Sequence, residues 1–192
     1  YSSAASDVYK RQDKYQVEYL GEATGTRVTY KTEPEEYTNQ DKVTIKLTVK
    51  NAKGIKEIQC PDGTKKGENT TETTIEYEVT KNGTYTFKVI DNENKEETRD
   101  IIIDKIDKDE PTSCAITASV KDGAIEVKAT AEDAGSGIGK YEYYVTDSNN
   151  KTTKYDTNKI EDLASGTYSV YVIAYDKAGN NKQSNTVSNL KI

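Results

Sequence analysis

The sequence predicts an all-β chain of two tandem antiparallel β-sandwiches, and three observations carry that expectation. Apolar and polar residues alternate strictly along several stretches: Val43, Ile45, Leu47 and Val49 point one way from an extended strand, and Thr44, Lys46, Thr48 and Lys50 the other. No stretch sustains the 3.6-residue period of an amphipathic helix. A phrase also recurs, as NGTYTFKVIDNENK and later as SGTYSVYVIAYDKAGNN, so that Gly83 and Gly166, and likewise Tyr85 and Tyr168, stand 83 positions apart. In a chain of 192 residues such an echo reads as two modules of about eighty residues each.

Residues 1–12, YSSAASDVYKRQ, show no periodicity and resemble a translated adaptor or cloning-derived tail, so they stand apart from the fold. Residues 13–26 read as a linker or as the last strand of a preceding module, with KYQVEYL as the strand-like part. The first module spans 27–105. After the alternating strand at 43–50 comes the loop NAKG (51–54) and a third strand ending at Cys60. TTIEYEV (73–79), TYTFKVI (84–90) and ETRDIII (97–103) follow, separated by Asn, Gly and Asp clusters that favour turns. Residues 106–111, acidic and closed by Pro111, read as a short stiff linker. The second module, 112–192, offers CAITASV (114–120), a strand with Ile125, Val127, Ala129 and Ala131 inward, KYEYYVT (140–146), TYSVYVIAY (167–175) and SNTVSNLKI (184–192). The repeat offset is 82 at the alternating strand and 83 at the glycines, which places one inserted residue in DAGSG (133–137) relative to NAKG.

Composition narrows the function. Charged residues are 31% of the chain and hydrophobic ones 33%, which is polar for a globular protein, yet the alternation argues against disorder. A net charge of −6 without a dense Lys/Arg patch gives no attraction for nucleic acid. No segment approaches the roughly twenty apolar residues needed to span a bilayer, so no membrane insertion is expected. The absence of histidine removes the commonest general base and metal ligand. Paired carboxylates could in principle hydrolyse a glycosidic bond, but there is no tryptophan platform and no cleft-forming insertion. GSGIG (135–139) has the wrong spacing for a dinucleotide fingerprint and precedes a strand where a helix N-terminus would be required. The chain therefore reads as no enzyme, with no organic cofactor.

The segments EPEEYTNQDKVTIKLTVKNAKGIKEI and GAIEVKATAEDAGSGIGKYEYYVTD, the latter leading on to SGTYSVYVIAYDKAGN, resemble the immunoglobulin-like (Ig-like) modules repeated in surface proteins of Gram-positive bacteria. The resemblance covers nearly all of residues 27–192. Its most specific pieces are DAGSGI followed by YEYYV, and GTYSVYVIAYDKAGN; the first module departs from it with NAKGI and DNENK. It implies two Ig-like sandwiches, an extracellular or cell-surface location, neighbouring Ig-like modules as partners, and a role as spacer or adhesive arm. Glycan- or host-protein binding, or service as an accessory domain of a secreted enzyme, are the alternatives it leaves open. Some family members in pili carry a lysine–asparagine cross-link beside an acid, and no such triad stands out here.

Four groups of residues are candidates for structure or function. Gly83 and Gly166 would permit a tight turn, with Tyr85 and Tyr168 packing their rings into the sandwich while their hydroxyls reach a backbone carbonyl. Tyr144, Tyr171 and Tyr175 fall out of phase with the presumed core residues Tyr141, Tyr143, Val170 and Val172, and would form an outer aromatic patch for a glycan or host protein, or simply be scattered surface tyrosines. Asp104, Asp107, Asp109 and Glu110 would approach Asp133 and Asp176, either as a calcium site at the joint between modules or as a hydrated acidic hinge. Cys60 and Cys114 would either form an inter-module disulfide or stay as two packed thiols.

Overall fold

A computed structural model describes residues 17–20, 25–67 and 69–192; the expected tail, 1–12, lies outside the described residues. The chain divides into two compact units, the first ending at Ile106 and the second comprising Tyr37–Asn39 and Asp107–Ile192. Among the described residues there is no helix, hence none long and apolar enough to cross a membrane. The fold is an all-β sandwich fold, as the alternation predicts.

In the first unit, β1 (Val17–Leu20), β2 (Arg27–Glu33), β3 (Val43–Gln59), β4 (Lys65–Lys66), β5 (Thr70–Val79), β6 (Gly83–Asp91) and β7 (Glu96–Ile103) are hydrogen-bonded through β3. β3 is long enough to serve two layers. Its first half pairs with β2 and β5 from Val43 to Lys50, the register then shifts between Lys50 and Ile55, and its second half pairs with β4 and β6. The predicted loop NAKG is therefore a bulge inside one bent strand, which is what an extra run of residues does when both flanks are already committed to pairing. β1 pairs antiparallel with β2, so part of the segment read as a linker or the end of a preceding module adds an edge strand to this sheet.

Burial follows the period of two. Val43, Ile45, Leu47 and Val49 are completely buried, and they share one core with Val28, Ile58, Phe87, Val89, Ile101 and Ile103. Each such side chain contributes about 1.5–3 kcal/mol of transfer free energy. Cys60 closes this core as a buried free thiol, while Cys114 is a half-buried free thiol of the second unit. Neither is in a disulfide, and burial pushes the Cys114 thiol pKa up.

The second unit has two sheets. β8 (Ser113–Lys121), β9 (Ala124–Glu132) and β12 (Lys159–Ile160) form one, in the order β12-β9-β8. β10 (Ile138–Thr146), β11 (Thr152–Tyr155), β13 (Thr167–Asp176) and β14 (Asn181–Gln183) form the other in the order β11-β10-β13-β14, with β15 (Val187–Lys191) also on β13. Ile116, Ile125, Val127, Tyr143, Val145, Ile160, Val170, Val172 and Leu190 make the core, and Tyr141 and Ala129 pack half-buried against it.

The segment 106–111, expected as a linker, is shared between the units. Ile106 packs on the first core, and the Asn82 amide brackets it, donating to Ile106 O at 2.8 Å and accepting from Ile106 N at 2.9 Å. Asp107 is buried in the second unit, where its N–H donates to Thr38 O at 2.9 Å, and Pro111 is also buried. Backbone bonds at Ile106 and Asp107 and the burial of Pro111 tie the ends of the expected stiff linker into the folded units, while Lys108, Asp109 and Glu110 between them are exposed.

The echoed tyrosines build the same corner twice. Tyr85 Oη donates to Lys81 O at 2.6 Å and Tyr168 Oη to Ala164 O at 2.8 Å, each four residues upstream. The Tyr85 ring also lies 6.3 Å from that of Tyr77, which in turn meets Phe87 edge-on at 5.5 Å. At Gly166 the backbone does not require glycine: its φ is not positive, and an added Cβ would touch only the Tyr168 ring, at 3.4 Å. The tyrosine, rather than that glycine, defines the second corner. Tyr85→Phe and Tyr168→Phe should each cost about 1 kcal/mol in denaturant melts, and the alanine replacements about 3 kcal/mol. Gly166→Ala should stay within about 0.5 kcal/mol of the parent.

Candidate functional site

The outer face of the second unit's larger sheet follows from register. β10 and β13 pair Lys140 with Tyr175, Glu142 with Ile173 and Tyr144 with Tyr171. The residues between them, Tyr143, Val145, Val170 and Val172, are turned to the core; a strand alternates faces, so the first set points outward. β11 adds Lys154 opposite Tyr144. The structure thus brings the three predicted tyrosines onto one face. Tyr144 and Tyr171 stack with ring centroids 5.0 Å apart and planes 4° from parallel. Lys140 Nζ lies 4.5 Å from the Tyr175 ring centroid, a cation–π arrangement.

At the centre of this face is a residue that the sequence reading passed over. Glu142 is only 7% exposed. Its Oε1 accepts from Lys140 Nζ and Lys154 Nζ, both at 2.8 Å, and its Oε2 accepts from Tyr144 Oη at 2.9 Å. The hydrogen bonds from Lys140, Lys154 and Tyr144 hold its carboxyl down at a pKa of about 2. The same carboxylate raises the Tyr144 hydroxyl and the Lys154 ammonium above their ordinary values. Lys140, Glu142 and Tyr144 share one strand phase and were legible as a group; Lys154 was not, because it arrives by a pairing between strands.

A second cluster sits at the loop end of the same unit. Carboxylate oxygens of Asp107, Asp133 and Asp176 lie within 4.8 Å of one another. Asp133 Oδ2 accepts from Gly135 N at 3.1 Å and Gly137 N at 2.7 Å, and Asp176 Oδ1 from Gly179 N at 2.6 Å and Asn180 N at 2.8 Å. Asp107 Oδ2 accepts from Ser136 N at 2.6 Å. Burial pushes the Asp107 carboxyl upward, but hydrogen bonds from Ser136 and Asp109 outweigh it and leave the pKa below the ordinary value. An added Cβ at Gly135 would lie 2.4 Å from Asp107 Oδ2, so this approach requires glycine there. DAGSG is therefore an inter-strand loop locked by carboxylates, and three acids could hold a cation only while also keeping these loops closed. The other proposed ligands do not join them. Asp104, Asp109 and Glu110 are exposed, and Asp109 contributes only its backbone N–H, to Asp107 Oδ1 at 3.2 Å.

No family model matches the sequence, and no curated protein matches it. Among solved structures the chain is similar to fibronectin(III)-like modules of Clostridium thermocellum CbhA, with 13% identity over 81% of this chain and 88% of that one, at a TM-score of 0.35. It is also similar to the BSP domain of a biofilm associated protein, with 18% identity over 81% of this chain and 28% of that one, at a TM-score of 0.26. At such TM-scores the superpositions are loose, and the sandwich assignment rests on the strand pairings and cores of the chain itself.

The Glu142 cluster has a defined pH signature. A carboxyl held at about 2 rather than 4.5 stabilises the fold fully above about pH 4.5 and loses that contribution as pH falls toward 2. In acid titrations followed by melting, Glu142→Gln should therefore differ most from the parent at neutral pH, and the gap should close between about pH 4.5 and 2. A gap of constant size would show that the carboxylate charge is not what the lysines hold.

Proposed function

We propose that the chain is a non-enzymatic spacer or adhesive segment of an extracellular bacterial surface protein, built from Ig-like modules whose partners are further modules of the same kind. The observation that carries this reading is the duplication of one mechanical plan. Each unit has its own core and repeats the tyrosine-to-carbonyl bond that ties a strand to the turn before it. A stalk gains reach by repeating an independently stable unit, since its length scales with module number. Gram-positive origin belongs to this proposal through the sequence resemblance.

Stretching single molecules from end to end tests it. Two separate unfolding events are expected, each releasing about 25 nm, because about eighty residues extend to roughly 3.4 Å apiece. One event releasing the full length, or extension without a resisting event, would overturn the modular spacer reading.

The stacked Tyr144–Tyr171 pair supports a second reading, in which the outer face of the second unit binds a glycan or host protein, whether on a cell surface or beside a secreted enzyme. Tyrosines supply large contact area with few rotatable bonds. On this reading the parent chain is retained on a glycan array or host-matrix protein, and replacing Tyr144, Tyr171 and Tyr175 by serine abolishes retention. Silence of the parent across both panels would remove the reading.

A further inference from the structure

The second unit leaves one sheet edge open, and we propose that this edge pairs with the same edge of a second copy of the chain. β12 covers β9 only at Ile125 and Glu126, with one further bond from Val127 N to Asn158 O at 2.8 Å. In the first unit the corresponding edge of β3 is paired with β5 from Val43 to Lys50. Among the described residues, no strand pairs with β9 beyond Val127 on that side.

The direction of the open groups follows from the ladder. In an antiparallel strand, successive residues turn their N–H and C=O to opposite sides. Val127 faces the β12 side through its bond to Asn158, while Glu132 O accepts from Thr112 N at 2.8 Å on the β8 side. Ile116, opposite Ala129, confirms the phase: its N–H and C=O point away from β9 to the Asn185 side chain, at 2.9 and 3.2 Å. Ala129 and Ala131 therefore present their backbone donors and acceptors at the open edge. Their side chains are the smallest that strands use, so a neighbouring backbone can close on them.

Charge selects the partner and the register. Lys128, Thr130 and Glu132 are exposed on the outer face of the same segment. Antiparallel pairing of two copies centred on Thr130 sets Ala129 of each opposite Ala131 of the other, closing four N–H···O bonds. It also sets Lys128 of each copy opposite Glu132 of the other, and Thr130 opposite Thr130, both favourable cross-strand pairs. Sliding the register by two residues either way leaves a charge of each copy facing threonine. A lysine on an edge ordinarily discourages pairing; here the same segment of a second copy carries, at Glu132, the acid that neutralises it. The contact involves about five residues from each copy, well below a standard interface of about 1,600 Å², so the association is weak and suited to chains crowded together.

Sedimentation equilibrium of the whole chain, taken up to about 1 mM, tests the pairing. The weight-average mass should rise above 21.4 kDa with concentration. Lys128→Glu should hold the chain at the monomer mass, and Lys128→Glu combined with Glu132→Lys should restore association, with circular dichroism confirming that all three chains are folded. Monomer mass throughout for the parent, undiminished association of the single variant, or failure of the double variant to recover would each overturn the proposal.

Discussion

A sandwich of about eighty residues can bury little more than one layer of side chains between its sheets, and that limit governs most of what this chain does. Val43, Ile45, Leu47 and Val49 in one unit, and Ile125, Val127, Val170 and Val172 in the other, form the inward rows around which the remaining core residues pack. With so thin a core, the strand ends must be tied by hydrogen bonds. The two tyrosine corners tie the turn that precedes β6 and β13. Asp176 ties the turn that follows β13, as Asp91 does after β6 by accepting from Glu93 N at 2.9 Å and Lys95 N at 2.8 Å.

The two units reach this closure with different chemistry at equivalent places. After its first central strand, the first unit has Asn51, whose Oδ1 accepts from Lys53 N and whose Nδ2 donates to Thr26 Oγ1. The second has Asp133, whose carboxylate takes two loop N–H groups in the same manner. Replacing an amide by a carboxylate, and adding buried Asp107, concentrates negative charge at this end of the second unit. Fixed backbone dipoles aimed at each carboxylate are what make three acids at such short range tolerable.

The outer face built around Glu142 has a double character. The carboxylate, two lysines and a tyrosine hydroxyl satisfy one another, which restrains the rotamers of all four side chains. Fixed aromatic side chains would lose little entropy on meeting a partner, which is the physical basis of the proposed binding reading for this face. The open edge of β9 lies on the other sheet of the unit.

Alternation along the strands is local, and it determined the all-β class, the inward rows, the corner tyrosines and the outward phase of Tyr144, Tyr171 and Tyr175. Convergence is not local. Of six acids expected near one another, three meet, because only Asp107, Asp133 and Asp176 sit on loops that backbone N–H groups draw together. Glu142 looked like one polar residue among many until β11 delivered Lys154 across the sheet. The ends of the segment 106–111 joined the two folded units through bonds with the distant Asn82 side chain and Thr38 carbonyl, and NAKG became a bulge because its flanks, Lys50 and Ile55, are both committed to pairing. Side-chain phase is written in neighbouring residues, whereas pairing depends on which distant strands compete for the same donors and acceptors, and only the tertiary structure decides that competition.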